Sequence, residues 1–247
     1  MPLLSVLTAA IGERVKLTQE AGESLAAQEL PDGWDLEWVV QEDGPDPRLE
    51  DVVGRFPFAR YEANGERLGI PTTRNIALSR VRGELVHPLD CDDLVLPSGL
   101  AVAVEAFTAH PRIHWVANQA DDLLPDGTRV PFPLPIPSGP VAPGVISARI
   151  GAGETCNIHP AGVTMRVATV RALGGWVANP RGEDDALILA VTELAPGYLT
   201  EEATWLYRKH DGQTMRQPWY PDFTATAMRV VAQRLAALRE IGLQLRP

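Results

Sequence analysis

Cations, cysteines and long apolar runs are all scarce in this chain of 247 residues. Lysine occurs only at Lys16 and Lys209, and the formal net charge is -10. Such a surface repels polyanions, so no nucleic acid partner is expected. The two cysteines, Cys91 and Cys156, lack the spacing of metal ligands, and we expect both to be buried thiols in a reducing compartment.

Signals for membrane insertion and secretion are also missing from the sequence. No apolar run reaches the roughly 20 residues that a membrane-spanning helix needs. The opening residues MPLLSVLTAAIGERVK do not combine a basic leader, an apolar core and a cleavage site. We therefore expect a cytoplasmic protein without a transmembrane segment.

Motifs of several large enzyme classes do not occur either. The nucleophile elbow GxSxG, the Walker sequence GxxxxGK, the dinucleotide fingerprint GxGxxG and the zinc motif HExxH are all absent. What remains is a series of acidic residues that follow predicted strands or begin a predicted helix. These residues are Glu42, Asp43, Asp90, Asp92, Glu183 and Asp184.

The hydrophobic pattern predicts an α/β fold. Residues 3–9 and 34–40 read as strands on either side of a helix over residues 16–30. A second helix over residues 72–83, capped by one of its first threonines, leads into a strand over residues 84–90. This order predicts a mostly parallel sheet flanked by helices, in which ligands bind beyond the carboxyl ends of the strands. The acidic residues 90–93 lie at such an end.

The second half of the chain has two unusual segments. Residues 125–144 carry seven prolines and cannot form a regular helix or a central strand. They are either a lid or binding loop or an ordered surface excursion, and Phe132, Leu134 and Ile136 are expected to pack on the protein. Residues 223–245 form an amphipathic helix expected to pack on its own domain, with a homodimer contact as the alternative.

Five segments together carry a resemblance to a known family. They are LSVLTAAIGER, VVQEDGPDP, TTRNIALSRVRGELVHPLDCDDLVLP with its DxD motif, LGGWVANPRGEDDALILAV and WLYRKHDGQT. In this order they resemble the family 2 glycosyltransferases with the GT-A fold, over about residues 3 to 214. The resemblance implies one GT-A domain over residues 1–247. Within it, residues 1–110 would bind the nucleotide sugar, residues 111–220 the acceptor, and residues 221–247 would form the C-terminal helix.

The resemblance also implies an activity and its residues. The activity is inverting, metal-dependent transfer of one sugar from a nucleoside diphosphate donor, UDP-linked by expectation, to a hydroxyl of a small metabolite or saccharide. The donor would be bound by Thr8, Ala9, Glu42, Asp43, Arg74, Asp90, Cys91 and Asp92. Mn²⁺ or Mg²⁺ would be held by Asp92, Asp90 and His210, with Asp184 as the general base and Glu183 orienting the acceptor.

Physical chemistry agrees with these assignments but leaves alternatives open. A carboxylate-held cation neutralises the charge that grows on a departing nucleoside diphosphate, and a carboxylate can remove the proton of an attacking hydroxyl. However, Asp93 could instead cap the following helix, and Arg74 could contact the diphosphate or pair with the acidic residues. His210 could be structural, and Trp176 could stack on a sugar or belong to the core. A sugar-1-phosphate nucleotidyltransferase and a non-catalytic sugar-nucleotide-binding module are the alternative functions.

Overall fold

The computed structural model describes residues 1–132, 136–154, 158–243 and 245, so Leu134 and Cys156 lie outside the described residues. Its ten strands are β1 Leu3–Ile11, β2 Asp35–Asp43, β3 Ala59–Ala63, β4 Leu85–Pro88, β5 Leu94–Val95, β6 Trp115–Leu123, β7 Arg129–Phe132, β8 Gly139–Val141, β9 Val163–Arg166 and β10 Gly197–Arg208. Its α-helices are α1 Val15–Ala26, α2 Glu50–Val53, α3 Ile70–Arg80, α4 Gly99–Ala109, α5 Val145–Gly151, α6 Val167–Ala172, α7 Glu183–Leu194 and α8 Thr224–Ile241.

The described strands form one sheet in the order β3-β2-β1-β4-β9-β6-β10-β5, with β7 on β6 and β8 on β10. β1 to β4 are parallel, and β9 runs antiparallel between β4 and β6. Since β10 is parallel to β6, the strands β1 to β4, β6 and β10 all point the same way. Their carboxyl ends meet at one edge of the sheet, as the α/β prediction requires.

Helices cover both faces of this sheet because successive strand residues point to opposite sides. In β1, Leu4 and Val6 join the core beneath α1, α2 and α4, whereas Leu7 joins the core beneath α3, α5, α6 and α7. Trp38 and Val39 divide in the same way on β2. The predicted α/β architecture with helices on both sides is therefore confirmed.

The structure contains elements that the pattern did not predict, among them β3 and α2, and one helix starts earlier than predicted. β3 and α2 lie in residues 44–71, where turn residues hide any clear periodicity. α3 begins at Ile70 after Gly69, whose φ of 83° suits glycine, and neither Thr72 nor Thr73 caps it. The cap prediction was wrong because the turn before the helix is held by Asp43 instead, as described below.

The proline-rich residues take part in the sheet only at its margins. β7 pairs antiparallel with β6, and β8 pairs antiparallel with β10, so neither is a central strand, as predicted. Within this segment Ile136 is buried, whereas Phe132 is 41% exposed. The predicted packing role therefore holds for Ile136 and not for Phe132.

The C-terminal amphipathic helix, α8, packs against α7 as predicted, through a face that includes Ala227 and Val231. Met228, the residue after Ala227, is 43% exposed. Arg234 lies toward the protein and donates a hydrogen bond to the Leu173 carbonyl. Among the described residues, none of the helices combines the length and apolarity needed to cross a bilayer.

Candidate functional site

The candidate site lies where β1, β2, β4 and β10 end at the same edge of the sheet. The acidic turn, residues 90–93, follows β4 directly, and the segment 209–212 follows β10. The start of α7, with its Glu183 and Asp184, reaches the same edge through contacts described below. Residues far apart in sequence are thereby brought together, as the strand-end argument predicted.

Asp93 fixes the acidic turn from the inside. Its side chain is 1% exposed, its amide donates to the Asp90 carbonyl at 3.1 Å, and its Oδ1 accepts from the Arg208 amide at 3.0 Å. The Arg208 guanidinium donates a hydrogen bond to the Asp92 carbonyl at 2.8 Å. Asp93 therefore ties the turn to β10 and does not cap α4, whose N-cap is Ser98.

The second oxygen of Asp93, Oδ2, is buried without a hydrogen-bond partner among the described residues. Burial, followed by the negative charges of Asp90 and Asp92, raises the pKa of Asp93 well above its usual range. Ligand atoms of Asp90, Asp93 and His159 all lie within 4.8 Å of one another. A buried oxygen without a donor, close to a carboxylate and an imidazole, is chemically suited to a divalent cation.

His159 is a site residue that no sequence motif marks. Its ring stacks on Trp205 with centroids 4.6 Å apart, and its Nδ1 accepts a hydrogen bond from the Ala161 amide at 3.3 Å. Burial lowers its pKa despite the nearby charges of Asp90 and Asp184. Because His159 stands in no recognisable spacing with other ligands, no sequence signal could have identified it.

Asp92 has two cationic or polar partners on one oxygen. Its Oδ2 accepts from Arg14 Nη1 at 2.7 Å and lies 2.8 Å from His210 Nε2. The distance between His210 Nε2 and Asp92 Oδ2 is that of a hydrogen bond, so the two residues are in direct contact and could together hold a cation. The predicted pairing of Asp92 with His210 in space is thus present.

Arg74 is the electrostatic centre of the site. Its guanidinium is 3% exposed and donates to Asp90 Oδ1 and Asp184 Oδ1, both at 2.6 Å, with Glu183 Oε1 at 3.5 Å. Burial raises the pKa of Asp90, but the charge and hydrogen bond of Arg74, together with His159 and Arg14, outweigh this effect and hold that pKa below its usual range. Of the two roles considered for Arg74, this structure contains the pairing with the acidic residues.

Trp176 orients Asp184 from the other side. Its indole Nε1 donates to Asp184 Oδ1 at 2.8 Å, and the side chain is 2% exposed, so it belongs to the core. Asn75 holds the Trp176 backbone with two hydrogen bonds, one from its Nδ2 at 2.7 Å and one to its Oδ1 at 2.9 Å. Asn75 therefore braces the glycine-rich turn that positions the tryptophan.

Glu183 begins α7 after Gly182, which has a φ of 71°. Burial, followed by the neighbouring Asp184 charge, raises the pKa of Glu183 to about 7, although Arg74 opposes the change. A glutamate in this range is protonated in about half of the molecules near neutral pH. It can then donate a hydrogen bond, which an ordinary ionised glutamate cannot do.

The raised pKa predicts that Glu183→Gln changes how stability depends on pH. In the wild type, folding takes up a proton between pH 4.5 and about 7, so the stability contributed by Glu183 is fully present below pH 4.5 and is lost as pH rises toward 7. Glutamine does not titrate. Between about pH 5 and pH 8, the unfolding free energy of the variant should therefore rise by about 2 kcal/mol relative to that of the wild type. Urea titrations at both pH values measure this difference. Glu202→Gln, an exposed control on β10, should show no such gain.

Glu42 and Thr8 lie at the predicted donor end but use their side chains internally. Glu42 is 1% exposed and accepts hydrogen bonds from the amides of Arg48 and Leu49 and from the Tyr61 hydroxyl. Thr8 is fully buried, and its hydroxyl accepts from Trp38 Nε1 at 2.9 Å. Beside Thr8, Ala9 is partly exposed.

Asp43 holds the turn before α3. Its Oδ1 accepts from the Leu68 amide at 2.6 Å and from Asn64 Nδ2 at 3.1 Å, and its Oδ2 accepts from the Gly69 amide at 3.2 Å.

Cys91, within the acidic turn, is buried. Burial and the charge of Asp92 raise the pKa of its thiol to about 12. Its side chain therefore stays uncharged at neutral pH.

Two open cavities lie away from the acidic turn. Two cavities of about 530 and 340 Å³ in the described part of the chain border the middle of β10. The first is lined by residues of β6 and the proline-rich segment, and the second by residues of α4. At the acidic edge, Arg14 and Arg74 occupy the space between the carboxylates.

Comparisons with known proteins agree with this architecture. A protein of Sinorhizobium fredii, the uncharacterized protein y4gI, is 30% identical over 135 residues, which cover 52% of this chain and 14% of that protein. S. aureus TarS residues 1–349 in complex with UDP superimposes with a TM-score of 0.74 at 19% identity, covering 95% of this chain and 65% of that one. The same fragment in complex with UDP-GlcNAc gives a TM-score of 0.76 at 19% identity, covering 95% and 66%.

These similarities differ in what they establish. At 19% identity, the TarS structures show a shared fold, and this chain spans about two thirds of the TarS fragment. Sequence carries the family assignment, because the model of glycosyl transferase family 2 matches residues 5–129, about half of the chain. That match contains β1, the acidic turn and Arg74, whose contacts form one side of the site. The chain belongs to glycosyl transferase family 2.

Proposed function

We propose that this protein transfers one sugar, with inversion, from a UDP-linked donor to an acceptor hydroxyl. The observation that carries the proposal is the pair of 2.6 Å contacts from Arg74 to Asp90 and to Asp184. Because Arg74 contacts both residues, Asp184 lies beside the acidic turn. The Asp184 carboxylate is suited to proton removal, and the acidic turn is suited to binding a cation and a diphosphate. In the proposed division of the domain, residues 1–110 bind the donor, residues 111–220 the acceptor, and residues 221–247 form the C-terminal helix.

The cation in this proposal is Mn²⁺ or Mg²⁺, held by Asp92 and His210 with Asp90 beside them. When bound, such a cation would neutralise the charge that develops on the leaving diphosphate. The side chains of Asp92 and His210 are 10% and 24% exposed, so both can meet an entering ligand. The alternative set, Asp90, Asp93 and His159, includes a carboxylate that already binds the β10 backbone.

Asp184 is the proposed general base. Both of its protein donors, Arg74 Nη1 and Trp176 Nε1, converge on Oδ1, and Oδ2 has no donor among the described residues. The fixed Oδ1 sets the orientation of the carboxylate, and Oδ2 remains able to accept the hydroxyl proton. Glu183, beside Asp184, is placed to orient the acceptor.

Nucleobase recognition is proposed at the ends of β1 and β2. The partly exposed Ala9, the backbone of Thr8 and the rim around Asp43 would face the base. The three hydrogen bonds that Glu42 accepts within the protein support an indirect role for it, in shaping this rim. The Glu42 side chain reaches the loop at residues 48–49 and stabilises it as part of the wall of the proposed nucleobase pocket.

Metal-dependent donor binding gives the direct test of this proposal. Asp92→Ala should abolish the rise in melting temperature that UDP and Mn²⁺ produce together, because a ligand stabilises only the state that binds it. Asp93→Asn should reduce the rise less, because Asp93 mainly anchors the turn. The matched control is Asp211→Ala, which removes a fully exposed aspartate close in sequence to His210.

Three outcomes would contradict parts of the proposal. A full UDP and Mn²⁺ response in Asp92→Ala would remove Asp92 from the cation site. If only Asp93→Asn lost the response to UDP and Mn²⁺, the cation site would be assigned to Asp90, Asp93 and His159. Release of pyrophosphate from a nucleoside triphosphate, with no transfer from sugar nucleotides, would contradict the proposed reaction.

A further inference from the structure

Arg14 lies where the proposed function places a cation. Its Nη1 donates to Asp92 Oδ2 at 2.7 Å, the same oxygen that lies 2.8 Å from His210 Nε2. A divalent cation bound between Asp92 and His210 would meet the positive guanidinium at close range. The two positive charges would repel each other at that distance, so a cation that binds this oxygen competes with Arg14 for it.

The position of Arg14 allows it to leave that oxygen. It ends the short 3₁₀ turn Gly12–Arg14 that follows β1, and its side chain is 16% exposed, so it borders solvent. Its Nη2 also donates to the Gly212 carbonyl at 2.8 Å. Arg14 thus connects the end of β1, the acidic turn and the segment after β10, the three parts that would surround a donor diphosphate.

We propose that Arg14 is an internal counter-ion that metal and donor displace from Asp92, and that the displaced guanidinium then binds the donor diphosphate. This inference rests on the proposed function. A guanidinium presents paired N–H groups that match phosphate oxygens, so the diphosphate offers Arg14 a replacement for the carboxylate. Metal entry alone would leave Arg14 without an anion, whereas entry of metal with a nucleotide would not. Metal and nucleotide should therefore bind cooperatively.

The test measures Mn²⁺ binding without turnover, using the electron paramagnetic resonance signal of free Mn²⁺ with and without UDP. In Arg14→Gln the competing charge is gone, so Mn²⁺ alone should bind about fivefold to tenfold more tightly than in the wild type. UDP in saturating Mn²⁺ should bind about fivefold to tenfold more weakly, because the diphosphate loses its guanidinium. Opposite changes for the two ligands distinguish displacement from general damage, which would weaken both.

Two control variants define the interpretation. Arg67→Gln removes the same charge from a 56% exposed arginine that pairs with Glu13, next to Arg14 in sequence, and should change neither affinity. Arg14→Lys keeps the positive charge, so its affinity for Mn²⁺ alone should stay near the wild-type value while its UDP affinity falls. It also provides the test if Arg14→Gln does not fold.

The outcomes separate this inference from the proposed function. If the wild type binds Mn²⁺ and UDP, but Arg14→Gln binds Mn²⁺ alone no more tightly, the displacement role of Arg14 is overturned. Equal Mn²⁺ affinity with and without UDP in the wild type would overturn it as well. If the wild type binds neither ligand in any combination, the proposed function itself fails.

Discussion

Asp184→Asn is expected to lower sugar transfer by about 10²- to 10⁴-fold while leaving UDP affinity unchanged. The amide keeps the shape of the carboxylate, and its oxygen can still accept from Arg74 and Trp176. It cannot take up the proton of an attacking hydroxyl. Transfer from UDP-sugars to a panel of saccharide and small-molecule acceptors gives the rate, and the thermal response to UDP with Mn²⁺ gives the binding.

The control for this experiment lies one residue further along α7. Asp185→Asn removes an exposed carboxylate from the same helix start, so it causes the same change in formal charge and in the charge at the helix N-terminus. It should transfer sugar at close to the wild-type rate. Near-wild-type transfer by Asp184→Asn, or an equal loss in both variants, would contradict the assignment of Asp184 as the base.

Arg74→Met is expected to cost about 3 kcal/mol of unfolding free energy near pH 7 to 8, because it removes a buried counter-ion from three partly buried carboxylates. The methionine fills much of the volume but cannot neutralise Asp90, Glu183 or Asp184. In the wild type, Arg74 holds the pKa of Asp90 low, so this stabilisation is present above the ordinary aspartate pKa and is lost as pH falls through the folded value. The deficit should therefore shrink toward acidic pH, as urea unfolding at several pH values would measure.

Two further variants test whether the loss comes from charge compensation. Arg67→Met changes a 56% exposed arginine and should cost less than about 1 kcal/mol. In an Asp184→Asn background, Arg74→Met should cost less than in the wild type, because one of the uncompensated carboxylates is absent. A small, pH-independent cost of Arg74→Met would show that the buried ion pairs contribute little to stability.

Patterns that belong to the backbone could be read from the sequence. The strand before the acidic turn, the helix that starts at Glu183 and the direction of the first strands all follow from periodicity and turn residues. Because parallel strands deliver their carboxyl ends to one edge, the meeting of Asp92 with His210 was also predictable. For these elements, local preferences and the final fold agree.

The partners of individual side chains could not be read in this way. The sequence left two possible roles open for Arg74 and two for Trp176. The choice between them depends on contacts between segments that are about 100 residues apart in the chain. His159 lies in none of the five segments, and Arg14 ends the first of them without any sign of its partners, because tertiary packing brings both to the site. The hydrogen bonds of Glu42 depend on a loop whose path has no periodic signal.

Contacts between residues far apart in sequence bear on how the site forms. Asn75 and Trp176 are 101 positions apart, Arg74 and Asp184 are 110 apart, and Arg14 reaches Gly212 across 198. Closing such large loops is entropically costly and slows folding. A nascent or partly refolded chain can therefore hold native helices and still be inactive. Competence for the proposed sugar transfer should appear only when the segments around Arg14 and Gly212 have met.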